Sequence, residues 1–544
     1  MTQFKWWQTG IIYQIYPRSF KDSNNDGIGD IPGIISKLDY LKDLGIKGIW
    51  VSPFYPSPMK DFGYDISDYK DVNPIFGAMK DFDKLLDEAH KRNLKILIDL
   101  VPNHTSDEHK WFIESKKSKS NPYRDFYIWK DPKPNGEPPN NWLSWFGGPA
   151  WEYDPKTRQS YFHHFLKGQP ELNYANPKVL DAILNVIDFW LKKGVDGFRM
   201  DVICNMWKHQ DFPDNPLNPN WDGKIPFDKF IHPYTSNQPE VHKLIKAMRK
   251  TVDKYPDRVI IGETYLPYDD LLKYYGDNDE CHLPYNFHLL GSPWKASAIK
   301  KKVNEYEKIL PASFWPSYVL GNHDQKRVAS KVGSPEQARI AEMLILTLRG
   351  TPTVYYGDEI AMENVKIPLD MIQDPPALLQ PEVADLVGRD PFRTPMQWDD
   401  SPNAGFSADG VKTWLPLAKN YDKVNVKTQG KQKDSMFALF KALTKLRAET
   451  SCLNSGKYKY LPTIQKDIFA YLRYDDKKTV LVILNFGSKS CKLDLSKKLS
   501  GRKAKLLLAS DMKTDHSTDL SALKIKANLG MTFELKKVKI ILLK

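Results

Sequence analysis

Val195-Asp196-Gly197-Phe198-Arg199-Met200-Asp201 decides how the rest of the chain is read. A short apolar run ends in an arginine and, two residues later, an aspartate. On a strand, residues i and i+2 share a face, so Arg199 and Asp201 point the same way. In a barrel of alternating strands and helices, chemistry sits at the carboxyl ends of the strands. There the guanidinium would hold Asp201 ionised, oriented and low in pKa, as a carboxylate nucleophile requires. The competing reading of these seven residues is a structural ion pair at a strand end.

Strand–helix alternation recurs on both sides of this stretch. Upstream, Ile11–Tyr16, Gly48–Pro53 and Lys95–Val101 read as buried strands, with helices over Pro32–Leu44 and Met79–Arg92. Downstream, helices over Pro177–Lys193, Glu240–Lys254, Ala296–Lys308, Ser334–Leu348 and Ser435–Thr450 alternate with further strands. Those strands are Arg258–Thr264, Cys281–Phe287, Pro316–Leu320 and a last one from Thr351. Counting the opening stretch, that is eight strands, and the fold expected is α/β, a (β/α)₈ TIM barrel.

The rhythm stops over residues 105–175, a stretch rich in Pro, Asn, Gly, Trp and Tyr. So long an irregular insertion is usually functional, and it reads as a subdomain grown from the loop after the third strand. Its aromatics, Trp142, Trp145, Trp151, Tyr161 and Phe162, are candidates for stacking on sugar faces or for filling a small core. From residue 461 short alternating strands predict a C-terminal antiparallel β-sandwich. The expected domains are therefore 1–104 with 176–460, 105–175 and 461–544.

The net charge of +12 belongs to the tail. Residues 455–544 carry 20 Lys and Arg against 8 Asp and Glu, while residues 1–454 balance at 59 of each. A solvated surface accounts for this excess better than a nucleic-acid or membrane partner. At 41% hydrophobic, with no apolar run of membrane length and four scattered cysteines, the chain reads as a cytoplasmic protein with free thiols.

Three acids fall at strand ends: Asp201, Glu263 and Asp324. Retaining glycoside hydrolysis needs one carboxylate to attack the anomeric carbon and another to donate and then accept a proton. Asp201 suits the first role. Glu263, ending the apolar run Val259-Ile260-Ile261, suits the second, with a raised pKa expected. His104 and His323 can bond sugar hydroxyls, and Asp324 can clamp a vicinal diol. In the loop Asp22, Asn24, Asp26, Ile28 and Asp30, oxygens fall at alternate positions around Gly27, as in the first part of a calcium loop, although Gly33 stands where a final acid would. A structural Ca²⁺ or Mg²⁺ is expected there, with a turn-rich loop as the alternative.

These motifs resemble the α-amylase superfamily of glycoside hydrolases, in its oligo-1,6-glucosidase and α-glucosidase branch. They are Asp99-Leu-Val-Pro-Asn103-His104, Gly197-Phe-Arg199-Met-Asp201, Gly262-Glu263-Thr264, Asn322-His323-Asp324 and Gln169-Pro-Glu171-Leu-Asn173, where the branch usually has Asp at the middle position. The resemblance implies Asp201 as nucleophile, Glu263 as acid/base and Asp324 as transition-state stabiliser. It implies Asp61, Tyr64, His104, Phe162, Arg199, His323 and Arg393 as substrate-binding, with Asp61 and Arg393 meeting over the non-reducing end of a short oligosaccharide or disaccharide. It also strengthens the metal reading of loop 22–30. Val202, after the nucleophile, leans the linkage toward α-1,6; α-1,4 cleavage, sucrose isomerisation and glucosyl transfer are the alternatives on the same scaffold. A non-catalytic transporter heavy chain would lose the acids and need a membrane anchor. Monomer and homodimer are both compatible with the sequence.

Overall fold

The computed structural model describes residues 4–496, 498–499, 504–515 and 520–535. Eight parallel strands form one sheet: β1 (Ile12–Ile15), β2 (Gly48–Val51), β3 (Lys95–Leu100), β4 (Gly197–Met200), β5 (Val259–Gly262), β6 (Leu283–Pro284), β7 (Ser317–Val319) and β8 (Thr351–Tyr355). Their order is β7-β8-β1-β2-β3-β4-β5-β6. At the β6–β7 seam the Ser317 hydroxyl donates to the Pro284 carbonyl at 2.9 Å. These strands are buried on both faces, which explains why they read as apolar runs without alternation.

The helices follow the same local rules. They are α1 (Ile31–Ile35), α2 (Leu38–Asp43), α3 (Met79–Lys91), α4 (Pro177–Lys193), α5 (Val241–Val252), α6 (Ala296–Ile309), α7 (Pro335–Thr347) and α8 (Met436–Glu449). α4 delivers the chain to β4. Asn176 caps it through the Lys178 amide, Pro177 takes the first position, and Gly194 ends it in a left-handed turn. Gly197 then opens β4 because a Cβ there would lie 2.2 Å from the Val259 carbonyl oxygen. The single helix expected over Pro32–Leu44 is two. The Ser36 hydroxyl bonds back to the Gly33 carbonyl at 2.6 Å, and Lys37 (φ −112°, ψ 7°) leaves the helical backbone.

The insertion forms an antiparallel sheet of Trp129–Lys130, Gln159–Phe162 and Trp151–Asp154. The C-terminal strands are β9 (Lys457–Tyr460), β10 (Ile468–Tyr474), β11 (Thr479–Asn485), β12 (Cys491–Leu493), β13 (Ala504–Ala509), β14 (Leu523–Ile525) and β15 (Gly530–Leu535). Five of them form the sheet β9-β10-β11-β15-β13, and β12 pairs with β14. Alternation decides the packing. Phe469, Tyr471, Val480 and Val482 join the main core, while Ala470, Leu472, Leu481 and Ile483 pack with Leu493, Leu523 and Ile525 of the ribbon. The end of α7 is held by two arginines: Arg473 of β10 donates to the Thr347 carbonyl, and Arg447 of α8 donates to the Leu346 carbonyl. The apolar run Val538–Leu543, which the sequence reads as strand, lies outside the described residues. Among the described residues no helix is long and apolar enough to cross a membrane, and the four cysteines are free.

Candidate active site

Arg199 is the centre of the site. It is fully buried on β4, where Asp99 of β3 lies opposite it in register. Its guanidinium touches three carboxylates: Asp99 at 2.8 Å, Asp201 at 2.6 Å and Glu263 at 2.8 Å. Asp201 and Glu263 each stand one residue past their strands, β4 and β5. The Asp201 bond uses Oδ1. Glu263 Oε2 also accepts the Val202 amide at 3.0 Å.

One cation among three acids cannot keep all of them at ordinary pKa. Burial pushes the Asp201 carboxyl well up; Arg199 opposes this, while Glu263 and Asp99 add to it. Burial likewise pushes Asp99 to about 6 against Arg199. The expectation of a nucleophile held low in pKa is therefore corrected. Arg199 orients Asp201, but its charge is shared with two other acids.

The opposite side of the site has the reverse balance. Asp324 bonds Arg393 at 2.7 Å, lies 3.3 Å from Arg389 and contacts His323 Nε2 at 3.2 Å. Burial would raise its carboxyl, but His323, Arg393 and Arg389 overcome that and hold it well below the usual range. Burial also keeps His323 neutral, so the lasting pull comes from the two arginines. The Gln14 amide donates to His323 Nδ1 at 2.8 Å, which leaves the proton on Nε2. Tyr64 accepts from that Nε2 at 2.7 Å and donates to Asp99 at 3.2 Å, joining the two halves. The Trp50 indole fixes the same Asp99 oxygen at 2.9 Å.

Asp61 pairs with a different arginine from the one expected. Asp61 bonds Arg389 at 2.7 Å, not Arg393. Arg393 is spent inside, on Asp324 and on the His323 carbonyl at 2.8 Å. Arg389 is braced from behind by Asp374 at 2.8 Å and lies over the Phe146 ring. Gln169 holds the other Asp61 oxygen at 3.0 Å. His104 is buried with its pKa lowered to about 3, so it is neutral. Asn103 donates to its Nδ1 at 3.1 Å, and its Nε2 faces the Tyr64 carbonyl at 3.2 Å.

The structure brings Asp61, Tyr64, His104, Arg199, Asp201, Glu263, His323, Asp324 and Arg393 into this network. Phe162 lies elsewhere, buried between Trp142 and Trp151 in the core of the insertion. Of the aromatics read as sugar-stacking or core-filling, Trp142, Trp151, Tyr161 and Phe162 are buried, while Trp145 is 51% exposed. Glu171, at the position where Asp is usual, pairs with buried Lys208, which also donates to Asn103 at 3.1 Å.

Gln14, Trp50, Arg389 and Asp374 were not singled out as site residues. A glutamine inside Ile12-Tyr13-Gln14-Ile15 is a polar break in a buried strand, and that signal was available. Arg389 and Arg393 lie four residues apart in Gly388-Arg389-Asp390-Pro391-Phe392-Arg393, and only the fold separates them.

The oxygens of loop 22–30 bond largely to the loop itself. Asp22 accepts the Asn25 and Gly27 amides at 2.7 and 2.9 Å, and Asp26 accepts Ile28 at 2.8 Å. Asp30 bonds Ser23 and caps α1 through Gly33. Among the described residues no three His, Cys, Asp or Glu side chains are grouped so as to hold a metal ion.

Two strand-end acids sharing one arginine, with an Asp61–Arg389 ion pair nearby in the same network, fit a glycoside hydrolase of the barrel class. Comparison agrees. The family described as "Alpha amylase, catalytic domain" matches residues 14–456, and "Cyclo-malto-dextrinase C-terminal domain" matches residues 458–527. The chain belongs to the α-amylase family of glycoside hydrolases. It is 40% identical to an oligo-1,6-glucosidase of Parageobacillus thermoglucosidasius, over 96% of this chain and 97% of the relative. It is also 40% identical to an alpha-glucosidase of Culex pipiens, over 90% and 83%. The solved alpha-glucosyl transfer enzyme XgtA superposes with a TM-score of 0.92 at 36% identity, covering 98% of this chain and 100% of that one.

Proposed function

We propose that this enzyme is a retaining, exo-acting α-glucosidase that releases glucose from the non-reducing end of short α-glucosides, with a preference for α-1,6 linkages. The observation carrying the reading is the arrangement of Asp201 and Glu263 on Arg199 beneath the Asp61–Arg389 pair. Arg199 takes Asp201 Oδ1, which leaves Oδ2 to attack the anomeric carbon. Glu263 protonates the departing glycosidic oxygen as its bond to that carbon breaks. Water then gives a proton to Glu263 as its oxygen attacks the same carbon, and Asp201 departs as a carboxylate. Asp324, held ionised, suits an oxocarbenium-like transition state and the adjoining hydroxyls. Asp61 and Arg389 block chain extension past the terminal glucose, which supports exo action.

The linkage preference rests on Val202 and on the oligo-1,6-glucosidase relative. The likeness to XgtA favours a second reading in which a sugar hydroxyl replaces water as acceptor on the same glucosyl-enzyme. Product analysis over time with isomaltose, maltose, sucrose and trehalose tests both readings. Faster glucose release from isomaltose than from maltose is expected. The reverse order overturns the α-1,6 preference, and transfer products without free glucose overturn hydrolysis.

A calcium or magnesium ion in loop 22–30 is a separate proposal, supported by the alternate spacing of Asp22, Asn24, Asp26 and Asp30. One equivalent of metal in the purified protein, and a lower Tm with a chelator, are expected. Metal-free protein with an unchanged Tm overturns it.

A further inference from the structure

Val202 stands between the two catalytic acids, and its backbone is unusual. It has φ 36° and ψ 44°, the left-handed region that a β-branched residue rarely enters. Such outliers persist where the surroundings impose them, and they gather at functional sites.

The surroundings here are specific. The Asp201 amide donates to the Leu100 carbonyl at 2.8 Å, and the Glu263 amide to the Met200 carbonyl at 2.9 Å, so the sheet ladder runs to the two acids and stops. At Val202 the chain leaves the sheet and at once enters a 3₁₀ turn, in which the Asn205 amide bonds the Val202 carbonyl at 2.9 Å. The Asp201–Val202 peptide is thus held on both sides, with its N–H on Glu263 Oε2 at 3.0 Å. Arg199 Nη2 approaches the same oxygen at 2.8 Å. An oxygen that accepts an amide hydrogen bond and lies against a guanidinium is the acceptor half of the carboxyl group. The transferable proton belongs on the other oxygen, Oε1.

We propose that Val202 is a positioning residue for the acid/base. Its amide, presented by the left-handed turn, fixes Glu263 Oε2 so that Oε1 delivers the proton to the glycosidic oxygen and later takes one from water. The inference rests on the α-glucosidase reading. It assigns to the residue after the nucleophile a backbone role that is independent of its side chain.

Replacing Val202 by α-hydroxyisovaleric acid turns the 201–202 amide into an ester, deleting the N–H while keeping the side chain. kcat/KM is measured for isomaltose, whose leaving group needs a proton, and for α-glucosyl fluoride, whose leaving group needs little help. The ester is expected to lower the isomaltose-to-fluoride ratio by about ten-fold or more, within the range of general acid catalysis. Val202→Gly keeps the N–H and enters the left-handed region without strain, but it loses the side chain read as favouring α-1,6 bonds, so its ratio should fall by less than that of the ester. An ester whose ratio equals wild type, whatever its total activity, makes the amide scaffolding and overturns the proposal. A collapsed ratio in the glycine variant with an intact ratio in the ester also overturns it. Should wild type cleave neither substrate, the α-glucosidase reading fails instead.

Discussion

The two halves of the active site use the same residue types to opposite ends. Around Arg199 three acids share one cation, and burial drives Asp201 and Asp99 up. Around Asp324 two arginines serve one acid, which is held far down. Charge balance at contact distance, not residue type, therefore separates the roles. In the mechanism proposed above, the acid-rich half is where a carboxylate bonds covalently and a proton moves, and the cation-rich half is where a fixed negative charge is wanted.

The comparison breaks most severely when an acid is removed from the crowded half. Asp201→Asn is expected to lower kcat by about 10⁴-fold or more, the scale seen when a nucleophile is lost. Glu263→Gln should cost about 10²- to 10⁴-fold on isomaltose, and less on a glucoside with a good leaving group. Steady-state rates on the two substrates check both. An Asp201 variant that keeps wild-type turnover would end the retaining mechanism.

Breaking the other half should act on binding. Arg389→Ala frees Asp61 and one side of Asp324, and it opens the mouth. KM for isomaltose should rise about 10- to 100-fold, the worth of one charged hydrogen bond. Products longer than glucose should begin to appear from isomalto-oligosaccharides, and chromatography of the digest reads this directly. A rise in KM with glucose still the sole product would confine Arg389 to affinity.

A pH profile sharpens the contrast. Asp201 must be ionised to attack, and its pKa is raised, so activity is lost as pH falls through a value above the ordinary carboxylate range. Asp99, itself pushed up to about 6 by burial, adds to that rise, so the acid limb of kcat/KM should lie clearly above that of a free carboxylate. Asp324 stays ionised throughout and contributes no limb. Asp99→Asn removes one negative charge from the crowded half, so Asp201 loses its proton more easily. The limb should move down by about one pH unit. A limb already near pH 4 in wild type would mean that Arg199 alone sets Asp201.

Much of this was legible before the structure. Strand ends carry their chemistry in local words, so Asp201, Glu263 and Asp324 could be read from apolar runs that stop in an acid. Helix α4 has the bounds its periodicity predicts, Pro177–Lys193. What the sequence did not yield was pairing across long distances. Asp61 and Arg389 are 328 residues apart, and Arg393 is an equally good partner on paper. Phe162 failed for another reason. An aromatic in a small subdomain serves the core as readily as a sugar, and burial alone decides between them. The pKa of Asp201 was misjudged because one neighbour, Arg199, is visible two residues away, while the competing Asp99 and Glu263 arrive from other strands.

The smallest effect concerns the residue between the acids. Val202→Thr keeps the 201–202 amide and with it the hold on Glu263, so total activity should survive. Only the side chain changes, a hydroxyl for a methyl beside the nucleophile. A polar group of that size shifts substrate preference by about 1 kcal/mol, near the low end for one pocket contact. The isomaltose-to-maltose ratio of kcat/KM should then fall about three- to five-fold. An unchanged ratio would place linkage selection in residues beyond Val202. Its role would then be the backbone one alone, which would widen the contrast between a site built from charge balance and a specificity built from shape.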